Sequence, residues 1–462
     1  MAKTNSAANA DKMGTMPVNK LLITMAVPMV VSMLVQALYN VVDSIFVAQL
    51  SEDALTAVSL AFPLQNIMIS VGVGIGVGVS ALMSRMLGQN DQDQADRYAM
   101  QGVVLSLLSF VIFFIIGLLF VKPYVITQVD QTLENAAAIT EDCTVYLQIV
   151  CMMSLGLFVA TLCEKLLSGT GRTIQTMLTQ MMGAVVNIIL DPIMIFGLLG
   201  CPKMGVAGAA LATVIGQTCG GVLGLVLNLK SNRDIRLKMS NGKPNFNMMG
   251  GILKISVPSI LMSSIGSILT FCLNIILMGF SSTAVAVYGV YFKLQSFVFM
   301  PIFGLNNGMV PIVAYNYGAG NKERIHQTVR LAMTYAVAIM LLGLGVFNLF
   351  PEQLLRMFNA SEDMIAIGIP ALRTISLSFS FAGICIICGT TCQAFGYAVY
   401  SLMTSVARQL MVLLPCIYLL SLSGVLSNIW WAWPIAEVVS LTVSLYFLNR
   451  VFKKTGMSLK EA

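Results

Sequence analysis

Inside the apolar run from Leu21 to Leu50, Gln36, Tyr39, Asn40 and Asp43 fall at i, i+3, i+4 and i+7 and so share one face of a helix. An ionised side chain within a spanning helix costs about 2.5 to 3.5 kcal/mol on insertion scales. Such a stripe faces protein or water rather than lipid. Amides alone would fasten two helices, so the carboxylate points to a further task. A second run repeats the pattern with Gln180, Asn187 and Asp191 on one face, followed directly by Pro192. Proline cannot donate to the carbonyl of Ile188 and clashes with it, which kinks the backbone beside the acid and frees an oxygen. Thr213 can add a hydroxyl. Together these are hard oxygen ligands for a proton or a small alkali cation. The plainer reading of Asp191 is a cap near a helix end.

Burial and a neighbouring like charge both favour the protonated form of a carboxyl group, which makes Asp43 and Asp191 a plausible proton-carrying pair. Glu164 has two readings, a further coupling acid or an interfacial ion pair with Lys165 or Arg172. Glu437, Lys293 and Arg408 are also unusual inside apolar runs and are expected to pair structurally with one another. The single histidine, His326, sits among charges in an expected loop, and the ten cysteines are scattered through apolar runs. No metal site is expected beyond Na+ at Asp43, Asn187, Asp191 and Thr213, and no other cofactor. The glycines Gly72, Gly74, Gly76 and Gly78 lie in an apolar run with no Gly-Lys-Ser or Gly-Lys-Thr after them, so they read as close helix packing rather than a phosphate loop.

The elements that must position these residues follow from composition. Of 462 residues, 57% are hydrophobic and 10% charged, with a mean hydropathy of +0.85, and a span needs roughly 20 apolar residues. Apolar runs predict twelve spanning helices near 21–50, 57–86, 98–121, 139–166, 173–198, 205–229, 252–279, 285–315, 328–350, 364–392, 398–421 and 425–451. The polar residues 1–19 and the length of the first run argue against a cleaved secretory signal. With the N-terminus inside, Lys3, Lys12, Lys20, Arg85, Arg97, Lys165, Arg172, the run from Lys230 to Lys254, Lys322, Arg324, Arg330 and the tail from Arg450 to Lys460 share one side. The other side has chiefly Lys122, Lys203 and Arg356, so both termini are expected in the cytoplasm of a bacterial cell, with the chain in its inner membrane.

Shifting the sequence by 230 residues without a gap superposes Val27-Pro28 on Val257-Pro258, Phe62 on Phe292, and Leu64-Gln65 on Leu294-Gln295. The same shift places Gly74, Gly78 and Gly88 on Gly304, Gly308 and Gly318. The chain is thus expected to be all-α. Its predicted parts are a cytoplasmic segment 1–20, a six-helix lobe 21–229, a linker 230–250, a second lobe 251–452 and a tail 453–462. An even number of helices per repeat relates the lobes by a pseudo-two-fold axis along the membrane normal, an arrangement suited to a transporter that opens to each side in turn. The shift puts Leu273 opposite Asp43, so a cation site is expected in the first lobe only.

A cleft for varied organic molecules needs apolar, aromatic and adaptable walls with a few polar groups, and 31 methionines suit that. Candidate lining residues are Gln36, Tyr39, Asn40, Phe62 and Gln65 in the first half, and Asn274, Tyr288, Tyr291, Phe292 and Gln295 in the second. For any single aromatic among them, core packing is the competing explanation.

The sequence resembles the multidrug and toxic compound extrusion (MATE) family over nearly its whole length. The resemblance is carried by Ala26-Val27-Pro28, the run Leu38 to Asp43, Arg85 to Gly88, Gly169 to Arg172, and Asn187 to Pro192. Gly208 to Thr213, Val257-Pro258 and Tyr317 to Asn321 complete it. It implies a two-lobe, twelve-helix antiporter, working as a monomer, that expels cationic lipophilic drugs in exchange for H+ or Na+. The implied partners are small organic cations and membrane lipids, with no nucleic acid and no enzymatic activity. Asp43, Asn187, Asp191 and Thr213 match the first-lobe cation site of the branch similar to MepA and DinF, and Glu164 stands where that branch has a further acid. The second-lobe acids of the NorM-like branch have no counterpart except Glu362 and Asp363, at the edge of the tenth helix. The alternative class is a flippase for a lipid-linked or polysaccharide precursor. Such a protein needs cavity cations to meet pyrophosphate, for which the chain offers chiefly Lys293 and Arg408.

Overall fold

The computed structural model describes residues 10–129, 135–358 and 360–457, and parts of the expected terminal segments lie outside them. The described residues are helical or loop, without a strand. Ten helices are long and apolar enough to cross a membrane, and two bent pairs bring the number to twelve. We label them α1 (Val18–Ala48), α2 (Glu52–Gly88), α3 (Gln92–Leu119), α4 (Ala136–Met152 and Leu155–Gly169), α5 (Thr173–Phe196) and α6 (Val206–Lys230). The second set is α7 (Phe246–Met278), α8 (Ser282–Gly318), α9 (Lys322–Leu349), α10 (Glu362–Ser376 and Phe379–Ala394), α11 (Ala398–Val406, Ala407–Leu413 and Leu414–Ser421) and α12 (Ala432–Lys454).

The 230-residue repeat is written into the helix caps. Both α2 and α8 have 37 residues and start after an extended serine whose hydroxyl accepts the third amide of the cap, Ala54 N to Ser51 Oγ and Ala284 N to Ser281 Oγ, each at 3.0 Å. Asp91 and Asn321 cap α3 and α9 in the same way. The residue just before each cap is left-handed, Asn90 at φ 59 and Gly320 at φ 71; asparagine and glycine are the types that tolerate it.

Two single helices expected from the apolar runs are in fact broken, α4 by 50° and α10 by 48°. No proline stands at either break. Past the first, Gly156 lies so close to α6 that a Cβ would sit 2.3 Å from Thr218 Oγ1 and 2.9 Å from its backbone nitrogen. At the second, Ser376 and Ser378 turn their hydroxyls onto the carbonyls of Arg373 and Ile375, a local competition that bends helices. His326, expected in a loop, is buried on α9 with its ring edge-on to Phe452 at 5.2 Å.

The chain forms two compact units, Met1–Thr15 with Val31–Ile260 and Met16–Val30 with Leu261–Ala462. The expected division at residues 230–250 is not where they part; the early residues of α1 and α7 have changed sides. Glycines explain this. On α2, Gly74 and Gly78 take α7: their Cβ atoms would lie 2.6 Å from Ile260 Cγ1 and from Ser256 Oγ. On α8, the repeat-related Gly304 and Gly308 take α1, where a Cβ would meet the backbone of Val30 at 2.5 Å and of Ala26 at 2.9 Å. The other glycine stripe of α2, Gly72 and Gly76, receives Thr161 and Lys165 of α4. The alternating glycines therefore pack two different helices on two faces.

The expected linker is clamped to the first unit. Asp96 accepts the amide of Arg236 at 2.7 Å, Gln101 donates to the carbonyls of Asn241 and Lys243, and the amide of Asn245 donates back to Gln101. Arg172 and Asp234 form a buried ion pair at 3.1 Å, with side chains 12% and 2% exposed. Removing one partner of such a pair leaves the other charge stranded, at a cost of about 3 to 5 kcal/mol. Arg172→Ala is accordingly expected to lower the temperature of thermal aggregation in detergent clearly, and Arg172→Lys less so; equal stability of Arg172→Ala and wild type would show that this ion pair does not hold residues 230–250 in place.

Candidate cation-coupling site

The site is built where α5 and α6 cross at glycines. A Cβ on Gly216 would lie 2.7 Å from the carbonyl oxygen of Gly183 and 3.1 Å from Asn187 Cβ, and one on Gly208 would lie 2.6 Å from the backbone of Met194. This approach puts the α6 hydroxyl onto the α5 amide. Asn187 Nδ2 donates to Asp191 Oδ1 at 3.2 Å and approaches Thr213 Oγ1 at 3.4 Å. Asn187, Asp191 and Thr213 are buried, Asp191 completely. Pro192 lies within an unbroken α5, so Asp191 is not a terminal cap.

Asp43 of α1 completes the cluster. Its carboxyl group lies near enough to that of Asp191 for the two to interact electrostatically. Two neighbouring carboxylates sheltered from water repel unless a proton or cation is shared. Asp43 Oδ1, Asp191 Oδ2 and Asn187 Oδ1 are buried without a hydrogen-bond partner, leaving three acceptor oxygens at one place. Each is of the hard type that takes Na+ or, through a carboxyl, H+.

Tyr39 of α1 is half-buried one turn before Asp43, and the hydroxyl of Tyr146 of α4 donates to Gln65 Oε1 at 3.4 Å. Tyr146 is 2% exposed and is not among the expected site residues, because nothing in its own apolar run marks it. Of the other first-half candidates, Gln36 is half-buried, and Asn40 and Phe62 are exposed.

Glu164 is placed elsewhere. It accepts from Gln180 Nε2 at 2.9 Å, and its backbone carbonyl accepts from Thr176. Gln180 is eleven residues before Asp191 on the same helix, about 16 Å along the axis. Glu164 and Gln180 thus form their own polar pair, three turns from the two aspartates.

In the second unit Leu273, the counterpart of Asp43, is completely buried. Tyr288 and Tyr291 are buried as well and pack on Trp433 at 6.0 and 6.4 Å, with Tyr291 also edge-on to Phe347. These two are core aromatics. Phe292 is exposed, and Asn274 and Gln295 are half-buried. Arg408 pairs with Glu437 at 3.5 Å, whereas Lys293 is exposed. Among the described residues no group of three or more His, Cys, Asp or Glu side chains could hold a metal ion.

Removing the Asn187 amide strips the cluster of a buried partner, a loss of about 1 to 3 kcal/mol. Asn187→Ala is therefore expected to raise the ion concentration for half-maximal transport about tenfold or more; an unchanged value would place the ion elsewhere.

The MatE family model matches the chain twice, over residues 28–193 and 258–419, starting points that again differ by the repeat shift. The chain is 25% identical to Multidrug export protein MepA of Staphylococcus haemolyticus over 430 residues, 93% of each chain. It is 23% identical to the FAD transporter of Shewanella oneidensis over 439 residues, 94% of this chain and 95% of that one. Among solved structures, the outward-facing conformation of a multidrug resistance MATE family transporter superposes with a TM-score of 0.87 at 24% identity, covering 97% of this chain and 99% of that one. With two matched copies of the family model laid along a repeat and a fold shared end to end, the chain belongs to the MatE family of multi-pass membrane transporters.

Proposed function

We propose that the protein is a secondary multidrug exporter that trades organic cations for H+ or Na+ at the Asp43–Asp191 pair. The observation that carries this is a pair of neighbouring carboxyl groups in which one oxygen of each, together with Asn187 Oδ1, is buried without a partner, an arrangement that a proton or cation would complete. The acidic lining favours cationic cargo, and the name of the staphylococcal relative agrees with drug export.

In this reading a cation enters the pair while the protein is open outward and draws α1 towards α5. Drug affinity falls and drug leaves, after which the protein reopens inward and releases the ion. Drug and ion must favour different states, since equal affinity for both would shift nothing. The distribution of lysine and arginine supports both termini on the cytoplasmic side of a bacterial inner membrane.

The test is efflux of a fluorescent cationic dye from proteoliposomes under separate proton and sodium gradients. Transport under one gradient identifies the ion. Transport under neither, with a lipid-linked or nucleotide cargo moved instead, would replace this reading.

A further inference from the structure

The second unit holds one acid within a span and away from a helix end among the described residues, Glu437 on α12; Glu323, Glu352, Glu362 and Asp363 are all exposed in first turns. Glu437 is 6% exposed, and its environment is half finished. Oε2 accepts one long contact from Arg408 Nη1 at 3.5 Å, while Oε1 has no nitrogen or oxygen partner and only the weakly bonding Cys385 thiol nearby. One and two turns further along the same face, the hydroxyls of Ser440 and Ser444, 1% and 2% exposed, likewise have that thiol as a neighbour and no nitrogen or oxygen partner. Three buried oxygens thus stand in file over about 10 Å of helix. Arg408 rides on the π-helical stretch Ala407–Leu413 just before Pro415, where backbone bonding is loosened, and its side chain is 28% exposed.

A structural ion pair would close both carboxylate oxygens, because a buried charge with one long contact is poorly compensated. A bare cation is disfavoured by the guanidinium on the neighbouring oxygen. A proton meets neither objection: on Oε1 it makes Glu437 neutral and a donor, and serine hydroxyls can both give and take hydrogen bonds. The α11–α12 pair that frames the group is also the repeat counterpart of α5 and α6, which frame Asn187, Asp191 and Thr213.

We propose that Glu437 is a second proton-binding site, in the second unit, with Ser440 and Ser444 as the hydroxyls along which the proton travels and Arg408 as the fixed charge that makes it leave. The proton comes from water, binds Oε1, and returns to water; the guanidinium keeps its charge throughout. The other groups facing Glu437 are Cys385 of α10, which also lies beside the two serines, and Tyr291 of α8. From α11, Tyr400 instead pairs with Lys454 at the far end of α12, Cys416 is half-buried and Tyr418 exposed, and from α10 Arg373 is exposed.

The test is infrared difference spectroscopy of the full-length protein in lipid nanodiscs between low and high pH, reading the carbonyl band of protonated carboxylic acids. Bands from Asp43 and Asp191 are assigned with Asp43→Asn and Asp191→Asn, so this proposal and the reading of the first unit fail separately. Glu437→Gln is expected to remove one further band and Glu437→Asp to shift it. Arg408→Gln, which leaves the acid in place should Glu437→Gln not fold, is expected to carry the band's titration midpoint up by at least one pH unit. Ser440→Ala with Ser444→Ala should keep the band but slow proton exchange. A wild-type band set unchanged in Glu437→Gln or, if that variant does not fold, an unmoved midpoint in Arg408→Gln would show that Glu437 stays charged in a structural pair and would overturn the proposal.

Discussion

Asp191→Asn and Asp43→Asn are each expected to abolish gradient-driven dye export while leaving the protein folded and in the membrane. Asparagine keeps the shape and a hydrogen bond but cannot exchange a proton or neutralise a cation, so the site no longer distinguishes the ion-loaded state from the empty one. One elementary charge moving through 100 mV contributes about 2.3 kcal/mol, and each 1.4 kcal/mol is a factor of ten. Loss of coupling should therefore lower the steady-state dye ratio by about fiftyfold per charge at that potential. Glu164→Gln is the informative contrast. It lies with Gln180 rather than with the aspartates, so it should reduce the ratio less than either aspartate variant. If Glu164→Gln lost as much as Asp191→Asn, the coupling ion would have to visit the Glu164–Gln180 pair as well, and the coupling site would extend beyond the two aspartates.

Gly304→Val is expected to have the largest effect on folding. Even its Cβ would sit 2.5 Å from Val30 Cα and 2.6 Å from Val30 N, atoms of the α1 backbone that cannot rotate away. Overpacking within side-chain cores costs about 1 to 3 kcal/mol; a clash with backbone is relieved only by parting α1 from α8. The expected result is little monodisperse protein on size-exclusion chromatography. Gly289→Val on the same helix, where a Cβ would meet nothing within 4 Å, should behave like wild type in packing. If Gly304→Val gave normal yield and transport, the glycine contacts would not be what ties the start of α1 to the second unit.

These contacts also give a reason for the repeat's unequal chemistry. Both halves use the same glycine register on α2 and α8 to bind the early part of α7 and α1. The later parts of α1 and α7 differ: Asp43 faces a polar cluster, and Leu273, its counterpart, is completely buried. A duplicated scaffold carries the carboxyl pair once. Among the described residues, the second unit instead holds its one acid well within a span on α12, beside an arginine.

The class, the number of spans and the 230-residue repeat were legible in the linear sequence, as was the spacing that nominates Asp43, Asn187, Asp191 and Thr213, because each rests on a local rule. Apolar length sets a span, periodicity sets a shared face, and an acid in an apolar run is too costly to be incidental. What depended on distance between helices was not legible. That Asp43 comes near Asp191 while Glu164 pairs with Gln180, three turns from Asp191 along α5, is decided by where α1, α4 and α5 cross. So are the bends of α4 and α10, set by close approach or hydroxyl competition rather than by proline, and the bond from Tyr146 to Gln65. The exchange of the early parts of α1 and α7 between units and the clamping of residues 230–250 likewise follow from glycine contacts and side-chain bonds among residues far apart in the chain. Local composition dictates which surfaces must be buried, but which partner buries them is settled only by the packing of the whole set.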